Sequence, residues 1–505
     1  MTLASPRIPT VQAATAAVQA WAKDAPELAA LLAKGLPPAN ALARWGMHLL
    51  TTGRGADAVV AFRAAVALAP GDAAHWTNLG VALDRAGTLA EACACLERSV
   101  ALLRAQPSAW LLLGMTRRKL GDRAGAEAAY LEARVQEPGS LAVQQCLGVL
   151  REEQRDYAGA IECFTAATKH AEAGAAEWAN LAKLHYETGR VPEAHDAYAA
   201  AAAKDPRNAH YAEMLRKVRF MRDLRDGQSA DEALERYHAG RPVAVDGPEL
   251  VALLDVAAAV LAGSEHVEAA TRVAAKRLEL HPDSPSASYL LDALTGGGAN
   301  DRAPAAYVVE TFDAFADAFD GKLVKILGYD VPEKLGALVR TLAVDGHLHD
   351  TLDAGCGTGL CGPLLRPLSR ELVGVDLSPR MLAKAAERGV YDSLVCEDLV
   401  GFLARSSGRF DLMTAADVLI YFGDLTSLFA GAATVLRPGG LLAVSVELWP
   451  GDGWHLHTTG RFAHSTSHVR ASAKAAFTEV AFTETRIRLD VGEAVRGALL
   501  VFRRA

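Results

Sequence analysis

At 505 residues with a net charge of −8, the chain is too long for a single core and has no generally basic surface, so two or three domains are expected and nucleic acid is a poor first partner. Half of the residues are apolar but only 6% are aromatic, and alanine abounds, which suits packed helices. Seven cysteines (93, 95, 146, 163, 356, 361 and 396) form no disulfide framework, and no run reaches the roughly 18 apolar residues of a spanning helix, so a soluble chain in a reducing cytoplasm, without a membrane partner, is expected.

Residues 1–38 read as N-terminal helices. From residue 39 the chain keeps a 34-residue period, with blocks starting at 39, 73, 107, 141 and 175. The eighth column reads Gly46, Gly80, Gly114, Gly148 and Ala182; the twentieth is Ala58, Ala92, Ala126, Ala160 and Ala194. The twenty-fourth is large throughout: Phe62, Leu96, Tyr130, Phe164 and Tyr198. Gly53, Gly87, Gly121 and Gly189 mark the turn between two helices, with Arg155 as the exception. Small residues at columns eight and twenty let two helices cross closely, and the large residue fills the space beside them. The pattern, with Pro70, Pro138 and Pro206 closing the unit, resembles the tetratricopeptide repeat and predicts an all-α solenoid over 39–208.

The resemblance implies a concave groove whose middle carries Val81, Leu111, Leu112, Met115, Cys146 and Val149, with Arg118 and Lys119 on one bank and Glu152, Glu153 and Glu187 further along. Such a groove suits a protein or peptide guest. It could equally be filled by residues 1–38 or by a second subunit, which leaves a homodimer open. The clock fades over 209–300, read as capping and degenerate hairpins that end in a glycine-rich linker at 295–300. In the next segment, 301–349, Phe312, Phe315 and Phe319 share one helical face, either packing on the core or serving as a lid.

The last segment, 350–505, carries the chemistry. Thr351-Leu-Asp-Ala-Gly-Cys-Gly-Thr-Gly359 ends a strand in a glycine turn, and about twenty residues later Glu371-Leu-Val-Gly-Val-Asp376 ends a second strand in an acid. This is the footprint of a nucleotide-like cofactor laid across adjacent parallel strands. A dinucleotide site reads G-x-G-x-x-G, whereas here the glycines alternate as D-x-G-x-G-x-G, which resembles the first motif of class I S-adenosylmethionine-dependent methyltransferases. Val395-Cys-Glu-Asp-Leu399, Phe410-Asp-Leu-Met-Thr-Ala-Ala-Asp417 and Arg437-Pro-Gly-Gly440 resemble that family's next motifs in the right order. A Rossmann-like, seven-stranded, mostly parallel sheet is implied, giving a multidomain α plus α/β chain.

The resemblance assigns S-adenosyl-L-methionine to Asp353, Gly355, Cys356, Gly357, Gly359, Asp376, Leu377, Met381, Asp398, Leu399 and Ala416, with Asp376 at the ribose and Asp398 at the adenine edge. Asp417, Tyr421, Arg461 and His464 are the candidates for the reacting side, His464 or Asp417 as the base. Gly460-Arg-Phe-Ala-His-Ser465 resembles an element of some methyltransferases fused to these repeats. His455, His457 and Glu447 offer no metal spacing. Three functions stand: methylation of a protein or peptide brought by the repeats, methylation of a small molecule, or an inactive adaptor.

Overall fold

The computed structural model describes residues 6–239, 247–296, 300–317, 319–320, 329–342, 348–490 and 493–505. The chain divides into two units, 1–184 with 203–205, and 185–202 with 206–505.

In the first unit, hairpins pair Pro38–Thr51 with Gly55–Leu68, Ala73–Arg85 with Leu89–Leu102, Pro107–Lys119 with Arg123–Gln136, and Leu141–Glu153 with Tyr157–Thr168. The eighth and twenty-fourth columns meet as their sizes require. A Cβ at Gly46 would stand 2.9 Å from the Phe62 ring, and one at Gly114 only 2.4 Å from the Tyr130 ring. Each interhelical turn needs one left-handed residue, and Arg155, with φ 64°, takes that conformation where its sister repeats use glycine. Asp72, Asp122 and Asp156 cap the following helices by accepting backbone N–H groups, each worth about 1 kcal/mol.

The helices Val11–Asp24 and Pro26–Ala33 bury Ala14, Val18 and Leu28 in one cluster with Trp45, Phe62 and Trp76. Leu111 and Leu112 pack, partly buried, against other clusters, apart from the one that holds these helices. The groove's charges pair with one another: Lys119 with Asp84 at 2.5 Å, Arg118 with Glu153 at 2.6 Å, and Lys183 with Glu152 at 2.5 Å.

The second unit continues through Ala209–Arg225, Ala230–His238, Gly247–Gly263, Val267–Leu280 and Pro285–Thr295. Glu265, with φ 63°, turns between the third and fourth of these as Arg155 does in the array, out of phase with the 34-residue columns. The expected linker is pinned at both flanks: the Tyr289 hydroxyl donates to the Gly460 carbonyl at 3.0 Å, and the Gly423 amide donates to the Asp301 carbonyl at 2.6 Å. Residues 297–299 between them lie outside the described residues. Of the aromatic stripe, Phe312 and Phe319 meet edge to face at 5.7 Å; the Phe315 side chain lies outside the described residues.

Strands β1 (His349–Ala354), β2 (Ser369–Asp376), β3 (Ser393–Cys396), β4 (Phe410–Ala415), β5 (Leu436–Glu447), β8 (Phe477–Asp490) and β9 (Glu493–Arg504) form one sheet in the order β3-β2-β1-β4-β5-β9-β8. The first five run parallel, and β9 is antiparallel to both neighbours. A separate ribbon pairs β6 (Trp454–Leu456) with β7 (Phe462–His464). Apolar clusters cover both faces, one around Phe402, Phe410 and Phe429, the other around Val331, Leu372 and Ile487. That burial explains why the centres of β2 and β5, Leu372-Val-Gly-Val375 and Leu441-Leu-Ala-Val444, read as apolar runs instead of alternating. Because β2 and β4 flank β1 after the chain reverses direction of growth, a crevice opens past the carboxyl ends of these strands.

Candidate active site

The crevice holds a cleft with an empty volume of about 1100 Å³. Its floor is the turn after β1. Gly355, Gly357 and Gly359 all have positive φ, at 64°, 54° and 81°. A Cβ on Gly355 would sit 2.4 Å from Val418 Cγ2, whereas one on Gly357 would meet nothing within 4 Å. The space above Gly357 is therefore open for a ligand to approach bare backbone. Gly359 answers to packing instead: a Cβ there would stand 2.9 Å from the Tyr391 ring, away from the cleft lining. The helix after the turn is only four residues, Gly362–Leu365, so little helix dipole faces the cleft. That suits a ligand without phosphate.

Two acids organise this floor. Asp376, closing β2, accepts the Gly357 amide at 2.9 Å on one oxygen and the Ser378 amide at 2.9 Å on the other. Burial pushes its carboxyl up, opposed by backbone N–H groups of Ser378, Gly357 and Leu377. Each oxygen keeps a lone pair for a diol. Asp353, near the end of β1, is 1% exposed and takes the Tyr391 hydroxyl at 2.7 Å and the Thr414 hydroxyl at 3.1 Å. Burial pushes it up to about 6. Burial likewise pushes the Cys356 and Cys361 thiols well up, which leaves them poor nucleophiles.

Of the residues expected at the cofactor, Asp353, Gly355, Cys356, Gly357, Asp376, Leu377, Met381, Leu399 and Ala416 line the cleft. Asp398 does not line it. Its carboxylate caps the helix Leu399–Arg405 through the Val400 and Gly401 amides and pairs with Arg302, leaving Glu397 and Leu399 on the wall. Sequence reasoning missed Arg302, Tyr329, Thr358 and Glu397. Arg302 reaches the cleft through an isolated bridge to Phe422 and lies 4.7 Å over that ring, a long-range pairing with no local sequence signal.

Asp417, Tyr421 and Arg461, three of the candidates for the reacting side, also line the cleft. Asp417 has φ 60°, its amide donates to Ser445 Oγ at 2.8 Å, and its buried Oδ1 has no hydrogen-bond donor among the described residues. Burial pushes its carboxyl up, moderated by Arg488 and Arg461 and reinforced by Glu447. Tyr421 packs against the Phe312 edge at 5.7 Å. His464 departs from expectation. It is fully buried, its Nε2 sits 2.7 Å from the Phe422 carbonyl, and burial drives it down to about 4. It braces the 419–423 turn from behind and does not face the cleft. His455 stacks on Trp449 at 4.2 Å, and among the described residues no cluster of His, Cys, Asp or Glu could hold a metal. No helix among them is long and apolar enough to cross a membrane.

A doubly wound sheet with a glycine-floored crevice and a strand-ending acid defines a nucleoside-cofactor domain. Residues 352–444 match the family model of a methyltransferase domain, and 43–101 and 147–209 match that of the tetratricopeptide repeat. Similar curated proteins include the ubiquinone biosynthesis O-methyltransferase of Xanthomonas axonopodis pv. citri, 31% identical over 98 residues (19% of this chain, 41% of the relative). That of Burkholderia multivorans is 30% identical over 113 residues (20% and 47%). The chain thus spans less than half the length of these relatives. Among solved structures, the N-methyltransferase NodS from Bradyrhizobium japonicum in complex with S-adenosyl-L-homocysteine is 20% identical, covering 39% of this chain and 98% of that one, with a TM-score of 0.31. The chain joins tetratricopeptide repeats to a class I methyltransferase domain.

Proposed function

We propose that the second unit transfers a methyl group from S-adenosylmethionine to a hydroxyl oxygen of a small acceptor. The observation that carries this reading is the pairing, across one cleft, of a bare glycine floor braced by Asp376 with the carboxylate of Asp417, whose buried Oδ1 has no hydrogen-bond donor among the described residues. Bound, the cofactor would supply an electrophilic methyl on a sulfonium. Asp376 would hold the ribose hydroxyls, Leu377, Met381 and Leu399 would flank the base, and Gly355 and Gly357 would admit the methionine end. The Asp353 and Cys356 side chains lie beneath them and keep the turn in place.

On the acceptor side, Phe312, Tyr421 and Phe422 exclude water, and Asp417 takes the hydroxyl proton. The bound cofactor would supply the methyl to the acceptor oxygen and keep the carbon–sulfur electron pair on sulfur, while the O–H proton would go to Asp417. The proton then passes from Asp417 to solvent. Enclosure of this wall by the helix Ala305–Phe315 favours a small acceptor over a folded protein. The relatives named for O-methyl transfer are consistent with oxygen as the acceptor atom.

A second reading, a peptide acceptor delivered by the repeats, draws on Met115, 36% exposed, beside half-buried Leu111 and Leu112 in the groove. Incubation with methyl-labelled S-adenosylmethionine and host extract separates the two. Label in the low-molecular-mass fraction supports the small acceptor. Label confined to macromolecules overturns it and favours the peptide.

A further inference from the structure

Arg488 is a misfit on its strand. It stands on β8, the edge of the sheet, yet it is 1% exposed, and its Nε and Nη1 have no hydrogen-bond partner among the described residues. A fully buried arginine on an edge strand is costly unless its charge is paired. The sheet is shaped to put it there. The register of β8 on β9 slips between Arg486 and Arg488, a bulge that breaks the alternation of faces. Opposite, Gly497 leaves the space in which Ile487 packs; a Cβ on Gly497 would lie 2.1 Å from Ile487 Cγ1.

Two acids stand beside Arg488, and one of them, Asp417, lines the cleft. The arginine's Nη2 is 2.5 Å from Glu447 Oε1 at the end of β5, and its Nη1 is 3.8 Å from Asp417 Oδ1. Glu447 and Asp417 are themselves 6% and 16% exposed in their side chains. Asp417 is already fixed in backbone by its left-handed φ and its bond to Ser445. We propose that Arg488, tethered by Glu447, is the positioning residue that aims Asp417 at the acceptor. This rests on the proposed methyl transfer to a hydroxyl. Arg488 does not line the cleft; it acts through Asp417.

The charges facing Asp417 give the assignment a two-signed test. Arg488 from β8 and Arg461 from the turn between β6 and β7 favour its ionised form, Glu447 from β5 opposes it, and the Tyr421 and Tyr329 hydroxyl-bearing rings complete the surroundings. Removing Arg488 therefore raises the pH at which Asp417 can accept a proton, and neutralising Glu447 lowers it. A merely structural pair would not move the profile in opposite directions.

The experiment measures the initial rate of label transfer from methyl-labelled S-adenosylmethionine into the low-molecular-mass fraction of host extract, between about pH 5 and pH 9. For Arg488→Met the acid limb is expected to move up by about one pH unit or more, and for Glu447→Gln it is expected to move down. Arg488→Lys keeps the charge and should return the limb close to that of the wild-type chain. If Arg488→Met fails to fold by circular dichroism, the Glu447→Gln and Arg488→Lys profiles decide. Limbs that stay put, or that move the same way in Arg488→Met and Glu447→Gln, overturn the assignment of Arg488 alone. A wild-type chain that binds S-adenosylhomocysteine but labels nothing small at any pH overturns the transfer reading, and this assignment with it.

Discussion

The Tyr391 hydroxyl donates to Asp353 at 2.7 Å beneath the glycine turn, so the acid that opens the first motif is spent on the protein's own framework. Thr414 from β4 takes its other oxygen at 3.1 Å, tying β1 to β4 where the crevice opens. Burial outweighs these bonds and pushes Asp353 up to about 6 from the ordinary 3.8.

That shift has a definite sign. Folded, the acid keeps its proton to about pH 6; unfolded, it loses it near 3.8. Its contribution to stability is complete below the lower value and fades as pH rises through the higher one, by about 3 kcal/mol in all. In thermal melts of the full chain, Asp353→Asn should therefore gain on the wild-type chain as pH rises from about 4 to about 7. A difference that is independent of pH would contradict the assignment.

In the repeats, Gly114 and Gly53 are glycine for different reasons. Gly114 has the Tyr130 ring 2.4 Å from where a Cβ would sit, while Gly53 has open space but φ 80°. Gly114→Ala should cost about 1–3 kcal/mol through overpacking. The double variant Gly114→Ala/Tyr130→Leu should recover part of that. Gly53→Ala should cost about 1 kcal/mol whatever its neighbours. Urea melts of the four chains would check this, and failure of the double variant to recover would count against the column-eight contact.

Arg302 links Asp398 to the Phe422 ring from a segment that precedes the sheet. Arg302→Ala should weaken S-adenosylhomocysteine binding about three- to tenfold, and Arg302→Lys should restore little, since only a planar guanidinium both forks the carboxylate and stacks. Titration calorimetry on the three chains would test it; equal affinity in all would remove Arg302 from the site.

The repeats were legible because their signal is periodic. A glycine every 34 residues opposite a large side chain is a contact written twice in the sequence, and Gly46–Phe62 and Gly148–Phe164 meet accordingly. Arg155 shows the limit, since its left-handed turn is fixed by the hairpin around it and not by its own preference. The glycine floor of the cleft was legible for a related reason: glycines with positive φ follow one strand, and about twenty residues on an acid ends the next.

The reacting side was harder. His464 looks like a base in sequence because histidine is the usual one, but only the fold reveals that β7 carries it behind Phe422. Arg302, 96 residues from its partner Asp398, and Arg488, turned inward by a bulge, depend on contacts that no local pattern encodes. Asp398 lies in the expected motif, yet its carboxylate is taken up by a helix cap and by Arg302.

An adenosyl ligand would be held at the carboxyl ends of β1 and β2 by Asp376 and the turn it braces. The most direct test is calorimetric titration of S-adenosylhomocysteine into wild-type chain and Asp376→Ala, with circular dichroism confirming the fold of both. Loss of the acid removes charged hydrogen bonds to the ligand and to the Gly357 amide, so affinity should fall by at least about tenfold. Equal dissociation constants in the two folded chains would contradict the account.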